Sequence, residues 1–257
     1  MSSADFEAVA TVNADELHEL MAQIEAHPDV LEVLPEETQH QAAVDLLAAR
    51  NMVYKADIWT WLRDCVLTID EASQAASPWP DRAYLRELFT FIDEHKMVVI
   101  PKSRRMMVTW AVAAWCVHKA RYFPNYAIFV QSETEDKAAY VIDKRCAFIE
   151  DNLTPEALRR TYSSIRTTKG AIGRMTYRDT RSYLWGIPQG GDVLRTYTPS
   201  VLFMDEADFQ PEGHQALTAA LPAAEKGAKL ILVSSSNGPS GVVAGVCKEV
   251  GFLKWGS

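Results

Sequence analysis

Two adjacent acids, Asp205 and Glu206, close the apolar run Val201-Leu202-Phe203-Met204. A strand that ends this way delivers one carboxylate to a divalent metal and leaves its neighbour at the rim, free to take a proton from water. Acids at a strand end also cap the next helix, so the pair informs only in company. The run Met97-Val98-Val99-Ile100 leads into Pro-Lys-Ser-Arg-Arg-Met-Met-Val-Thr (101–109) and then into the apolar stretch from Trp110 to Val117. Strand, short loop and apolar helix are the setting of a phosphate-binding loop, usually written G-x-x-x-x-G-K-[ST]. Laid on Lys102–Thr109, that frame finds Thr109 in the hydroxyl position but Met107 and Val108 where glycine and lysine belong. Lys102 stands at the other end of the frame, from which a long side chain can reach across to phosphates. Ser103, Arg104, Arg105 and Met106 fill the loop, and one of its arginines is placed to report on a γ-phosphate; a solvated basic turn has the same composition. A third segment, Leu230-Ile231-Leu232-Val233, runs into Ser234-Ser235-Ser236-Asn237-Gly238. There Ser236 and Asn237 can bond a phosphate or its attacking water, although an ordinary Ser/Asn/Gly turn reads alike.

The elements that must position these residues are legible from periodicity. Five short apolar runs, Met97–Ile100, Tyr126–Gln131, Ser182–Ile187, Val201–Met204 and Leu230–Val233, alternate with helical stretches at Met106–Arg121, Thr134–Asp151 and Pro211–Glu225. Continuous apolar strands between helices predict an α/β fold, a mostly parallel sheet covered on both faces. Ligands of such sheets gather beyond the carboxyl ends of the strands, where all three chemical segments lie. Taken in chain order, lysine loop, Asp-Glu strand and Ser strand are the pattern of an additional-strand, catalytic-glutamate P-loop NTPase. Gly173 to Pro188, with Arg178-Asp179-Thr180 between two alternating runs, predicts a β-hairpin inserted into the sheet. Upstream, apolar residues recur at helical spacing in Leu17, Leu20, Met21 and Ile24 and again in Ile58, Trp61, Leu62, Cys65 and Val66. Residues 1–75 are therefore expected to be a helical N-terminal region and 76–257 the ATPase domain, with Glu71–Arg82, broken by two prolines, as the linker between them.

Composition narrows the function classes. The chain has 257 residues, 48% of them hydrophobic, and a formal net charge of -8, so no broad positive field draws in nucleic acid or an anionic membrane. Any DNA contact must be local. Four cysteines without a C-x-x-C pair and six histidines without H-E-x-x-H spacing point to a reducing compartment and no structural zinc. The longest apolar stretch falls well short of the ~20 residues of a membrane span, and the acidic N-terminus is unlike a signal peptide.

The combination resembles the N-terminal ATPase domain of the large terminase subunit, the motor that packages DNA into tailed-phage and related capsids. The matching text is KSRRMMVTW (102–110), GIPQGGDVLRTYTPS (186–200), SVLFMDEADFQ (200–210) and VSSSNG (233–238), within roughly residues 78–241. The resemblance implies ATP hydrolysis driving double-stranded DNA into a procapsid. Lys102 would neutralise phosphate charge, Thr109 and Asp205 would hold Mg²⁺, and Glu206 would activate water. It also implies a homo-oligomeric ring, a monomer in isolation, contacts with the portal protein and the small terminase subunit, and action in the host cytoplasm. Arg195, ten residues before Asp205, falls where the family places a trans-acting arginine finger. Trp79, Arg82 and Tyr84 are the available groups for stacking on or contacting a base. Met107 departs from the usual glycine. Family members usually carry an RNase H-like nuclease domain after the motor, for which this chain has no room. The expectation is a motor domain cut from a longer protein, favoured by the apolar ending Phe252-Leu253-Lys254-Trp255, or a separately encoded nuclease.

Two other classes fit part of the pattern. A two-lobed helicase shares the Asp-Glu pair but needs a second lobe; an assembly scaffold without turnover would have no use for both acids. If Lys102 stands in for the missing lysine, Lys102→Ala abolishes or severely cuts ATP hydrolysis while Val108→Ala leaves most of it. Hydrolysis surviving in Lys102→Ala would move the phosphate charge to Arg104 or Arg105.

Overall fold

A computed structural model describes residues 36–70, 73–154, 164–167, 173–238, 241–246 and 253–255, and the chain divides into two units, residues 1–64 and 65–257. The helical spacing at Leu17 to Ile24 lies outside the described residues. Described in the N-terminal part are α1 (Glu36–Ala56) and α2 (Ile58–Cys65). On α1, Leu46, Ala49, Met52 and Val53 form one apolar stripe. Asp57 separates the helices and caps the second. Its Oδ1 accepts the Trp59 N–H at 2.8 Å, and its Oδ2 accepts the Thr60 N–H at 3.3 Å and hydroxyl at 2.6 Å.

Immediately after α2 the structure departs from the helical expectation. β1 (Leu67–Ile69) pairs antiparallel with β2 (Ala76–Pro78), so the stretch read as helix end and linker is a small hairpin. Thr68 and Ile69 are β-branched and favour the extended form, and Asp70 ties the turn by accepting the Ser73 N–H at 2.8 Å on its carboxylate.

The main sheet has eight strands in the order β10-β3-β9-β8-β4-β7-β6-β5. They are β3 (Met97–Pro101), β4 (Ala127–Gln131), β5 (Ser164–Thr167), β6 (Arg174–Tyr177), β7 (Ser182–Gly186), β8 (Val201–Asp205), β9 (Lys229–Ser234) and β10 (Leu253–Lys254). All five apolar runs are strands, and every pairing among them is parallel. β9 lies between β3 and β8, the extra strand that the order of motifs predicts. The expected hairpin exists as β6–β7, but it is not an insertion: β7 is itself one of the parallel strands, and β6 with β5 extends the sheet antiparallel at its edge.

The helices are α3 (Ala83–Glu94), α4 (Val108–Tyr122), α5 (Glu135–Val141), α6 (Ala147–Asp151), α7 (Asp192–Thr196), α8 (Gly213–Glu225) and α9 (Val242–Val246). One sheet face buries Val99, Phe129, Leu202, Met204, Leu230 and Leu232 under Ala216, Leu217 and Ala220 of α8 and Val242 of α9. Alternate residues, among them Val98, Ile100, Ile128, Phe203 and Ile231, are equally buried on the other side, where α4 packs on β4 and β7. Strands covered on both faces have to be apolar throughout, which is why they read as unbroken runs. α4 is buried nearly all round for the same reason. Among the described residues no helix is long and apolar enough to cross a membrane.

Between α5 and α6 the expected continuous helix contains a π turn, Ile142–Cys146. Gly173 approaches it so closely that a Cβ there would lie 2.6 Å from the Asp143 Oδ1. A buried ion pair beside it, Arg121 of α4 with Glu150 of α6, is completed by the Tyr177 hydroxyl, which donates to Glu150 at 2.8 Å. Burial pushes the Glu150 carboxyl up, against the pull of Arg121. Arg121→Ala and Glu150→Ala are each expected to cost about 3–5 kcal/mol in denaturant unfolding, because each strands a buried charge. The apolar double variant Arg121→Met/Glu150→Leu should lose less than either single one.

Candidate functional site

Strand register decides which side chains meet. Pro101 is level with Ser234 and Asp205 with Val233, so the carboxyl ends of β3, β9 and β8 finish together. The Lys102 N–H donates to the Ser234 carbonyl at 2.9 Å, extending the pairing by one residue. Its side chain, 9% exposed, runs along the sheet edge and places Nζ 2.7 Å from the Glu206 Oε1. The Thr109 hydroxyl, in the first turn of α4, donates to the Asp205 Oδ1 at 2.9 Å. Lys102, Thr109, Asp205 and Glu206, spread over more than a hundred positions in sequence, thus meet at one edge, where two hydrogen bonds join them in pairs.

Environment divides the two acids. Asp205 is buried, and burial pushes its carboxyl up; Arg145, Lys102 and the Thr109 hydroxyl pull the other way. Glu206 is half-buried, and although burial raises its carboxyl too, Lys102 and Ser235 outweigh this and hold it below the usual range. The Ser235 N–H and hydroxyl both donate to the Glu206 Oε2, each at 3.3 Å. Glu206 also has a left-handed backbone, φ 50°, ψ 48°, that turns it out of the line of β8.

The loop has a distinctive backbone. Arg105 (φ 64°) and Met107 (φ 54°) are both left-handed, so Met107 adopts the conformation for which glycine is the easy residue. The Tyr84 hydroxyl braces the loop, donating to the Met106 carbonyl at 3.1 Å. Ser103, Arg104 and Arg105 are exposed, Met106 is half-buried, and Val108 and Thr109 are buried at the start of α4. Met107 precedes α4 without a side-chain cap, which leaves the first-turn amides available to an anion.

Other expected residues fall elsewhere. Trp79 is 5% exposed and packs against Phe89, so it belongs to the core and offers no face to a base. Tyr84 stays beside the loop, with its ring 6.2 Å from that of Trp255. Ser236 and Asn237 are exposed past the end of β9; Ser235 is the residue that reaches Glu206, and Asn237 instead bonds the Asp208 carbonyl at 3.1 Å. Arg195 is 64% exposed on α7 and pairs with Asp192 at 2.9 Å, apart from the Lys102–Glu206 pair. Its loop is anchored to β4, since the Gln131 Nε2 donates to the carbonyls of Pro188 at 2.8 Å and Gly190 at 2.9 Å. Gly190 itself, φ +90°, leaves no room for a Cβ against the Glu212 carboxylate. Sequence reading missed Ser235, Arg145 and Gln131. The register of β3 with β9 would have identified Ser235; nothing local marks Arg145.

No protein-family profile matches the chain. Among solved structures it is similar to the HK97 bacteriophage large terminase, with 13% identity and a TM-score of 0.60 over 78% of this chain and 43% of that one. It is similar also to the large terminase of a thermophilic bacteriophage in complex with ADP, with 14% identity and a TM-score of 0.50 over 68% of this chain and 44% of that one. A mutant of the Thermus phage P74-26 large terminase ATPase domain matches at 14% identity and a TM-score of 0.51, over 62% of this chain and 67% of that one. The fold is therefore that of these proteins, a mostly parallel sheet flanked by helices, and the match spans less than half the length of the HK97 protein and of the ADP-bound terminase.

The strained loop can be tested by truncating Met107 in two ways. Both Met107→Gly and Met107→Ala remove the side chain, but only glycine accepts φ 54° freely. Met107→Gly should be more stable than Met107→Ala by about 1 kcal/mol in chemical unfolding, reversing the order found at ordinary positions.

Proposed function

We propose that this chain is the ATP-hydrolysing motor domain of a large terminase, driving double-stranded DNA into a procapsid. The observation that carries the reading is the group at the sheet edge, in which Lys102 meets Glu206 at 2.7 Å and Thr109 meets Asp205 at 2.9 Å. The fold shared with phage large terminases, one of them described in complex with ADP, supports it.

A hydroxyl and a carboxylate suit a hard cation that prefers oxygen ligands, and so Thr109 and Asp205 would hold Mg²⁺. Held there, Mg²⁺ would neutralise charge on the β- and γ-phosphates. The open amides of the first turn of α4 would receive phosphate oxygens, with the loop from Lys102 to Thr109 wrapped around them. Lys102 leaves Glu206 for the phosphates as they arrive. Glu206 then keeps its Ser235 hydrogen bonds, and its ionised carboxylate becomes free to orient and deprotonate water. The base is in this way withheld until a nucleotide is in place. Arg104 and Arg105 remain exposed at the loop, where either can meet the γ-phosphate.

Arg195 acts on a neighbouring subunit. It is exposed and pairs with Asp192 rather than with its own Lys102–Glu206 group, as suits a residue that completes a second copy's site. The working form is accordingly a homo-oligomeric ring, docked on the portal protein in the host cytoplasm, with the small terminase subunit as a further partner.

Mixing variants tests the whole reading. Glu206→Gln should bind Mg-ATP yet lose hydrolysis by ~10²-fold or more, since a general base is removed without changing shape. In assembled motors, Arg195→Ala chains and Glu206→Gln chains, each inactive alone, should partly restore hydrolysis when combined, because some boundaries then join an intact Glu206 to an intact Arg195. Absence of hydrolysis by the unmodified assembled chain would reject the enzyme. Failure to complement in an active assembly would reject only the trans role of Arg195.

A further inference from the structure

The roles above leave one charged residue at the site unexplained. Arg145 lies in the π turn, far in sequence from both the lysine loop and the acid pair, with its side chain 24% exposed. Its Nη1 is 3.9 Å from Asp205 Oδ2, the oxygen that Thr109 does not use. The guanidinium is flanked by two aromatic rings, with the centroids of Trp110 and Tyr140 each 5.9 Å away. Trp110 follows Thr109 directly, and so the arginine is packed against the same turn of α4 that supplies the cation-binding hydroxyl.

The local fold is built to hold it there. A π turn accommodates one more residue than a regular turn and so re-aims the side chains it carries, which is why such turns cluster at functional sites. Here the turn is backed by Gly173, whose missing Cβ makes room for Asp143. A straight helix through Thr134–Asp151 would not present Arg145 at the same angle.

The balance of charge gives the placement a meaning. Lys102 and Arg145 are cations, Asp205 and Glu206 anions, and the four sum to zero in a largely buried setting. A free dication arriving at Asp205 would add its full charge to a balanced site and meet a guanidinium at the remaining oxygen. A metal arriving with a nucleotide brings excess negative charge, and the phosphates offer both Lys102 and Arg145 new partners. Among the described residues no cluster of three or more His, Cys, Asp or Glu offers a stronger alternative site.

We propose that Arg145 is a place-holding cation at the carboxylate of Asp205, which keeps free divalent metal off the site and lets it load only together with a nucleotide. The inference rests on Thr109 and Asp205 being the cation site. Arg145 is a positioning and gating residue; the proposal needs no direct part in bond breaking.

The test is Mn²⁺ binding to the full chain, read from the electron paramagnetic resonance signal of unbound Mn²⁺, so it needs no turnover. Without nucleotide the unmodified chain should bind Mn²⁺ weakly, and with a non-hydrolysable ATP analogue tightly. Arg145→Met should bind Mn²⁺ without nucleotide on the order of 10-fold more tightly or better, since one positive charge about 4 Å from the ligand is gone. Arg145→Lys, which keeps the charge, should behave as the unmodified chain, and adding Asp205→Asn to Arg145→Met should abolish the gain. Arg145→Gln serves as a second neutral variant if circular dichroism shows that the methionine variant is misfolded. Unchanged or weaker nucleotide-free binding in a folded neutral variant overturns the proposal. Failure of the unmodified chain to take up Mn²⁺ even with the analogue bound would instead overturn the assignment of Thr109 and Asp205, and the gate with it.

Discussion

The site depends on one constraint, the parallel seating of β9 between β3 and β8. With Pro101 level with Ser234, and Asp205 level with Val233, three strand ends finish at one edge. Side chains alternate along a strand, so a slip of one residue in β9 would exchange its two faces and carry Ser235 away from Glu206. The slip is opposed by burial on both sides of the sheet, since Leu230 and Leu232 pack under α8 while Ile231 and Val233 face the opposite way and are equally buried. Core packing, with no polar contact needed, therefore sets the geometry of the chemical edge.

Electrostatics then determines the state in which the site rests. Burial pushes the Asp205 carboxyl up, only partly offset by Arg145, Lys102 and Thr109, whereas Glu206, nearer to solvent, is held below the usual carboxylate range by Lys102 and Ser235 in spite of its partial burial. Both acids feel one ammonium, so any displacement of Lys102 alters both at once. In the mechanism proposed above, that sharing would couple the arrival of a nucleotide to the release of Glu206 without a large rearrangement of the fold.

Of the six left-handed non-glycine residues among the described residues, three lie at the site. Arg105, Met107 and Glu206 are left-handed, a conformation that costs L-residues of order 1–2 kcal/mol each and persists only where surrounding structure holds it. The brace from Tyr84 to Met106 and the bonds from Lys102 and Ser235 to Glu206 are what holds it here. The Arg195 loop is likewise fixed from outside, by Gln131 at the end of β4, so that an exposed arginine is presented from a firm base.

The sequence by itself determined the five strands, the three long helical stretches and the positions of Lys102, Thr109, Asp205 and Glu206, because burial on both faces forces unbroken apolar runs and the chemistry falls at their ends. It did not reveal the hairpin of β1 and β2, where two β-branched residues and a turn-forming Asp70 outweighed a helical neighbourhood, nor the edge strands β5 and β10, too short to show a period. Trp79 looked available to a base and is buried against Phe89, since aromatic residues serve cores and ligands alike. Only the tertiary structure decided that Ser235 rather than Ser236 meets Glu206, because strand register is a relation between segments that neither contains. Only it could place Arg145, because the π turn that aims this residue at Asp205 follows from packing against α4 and Gly173, and no local pattern of residue types encodes it.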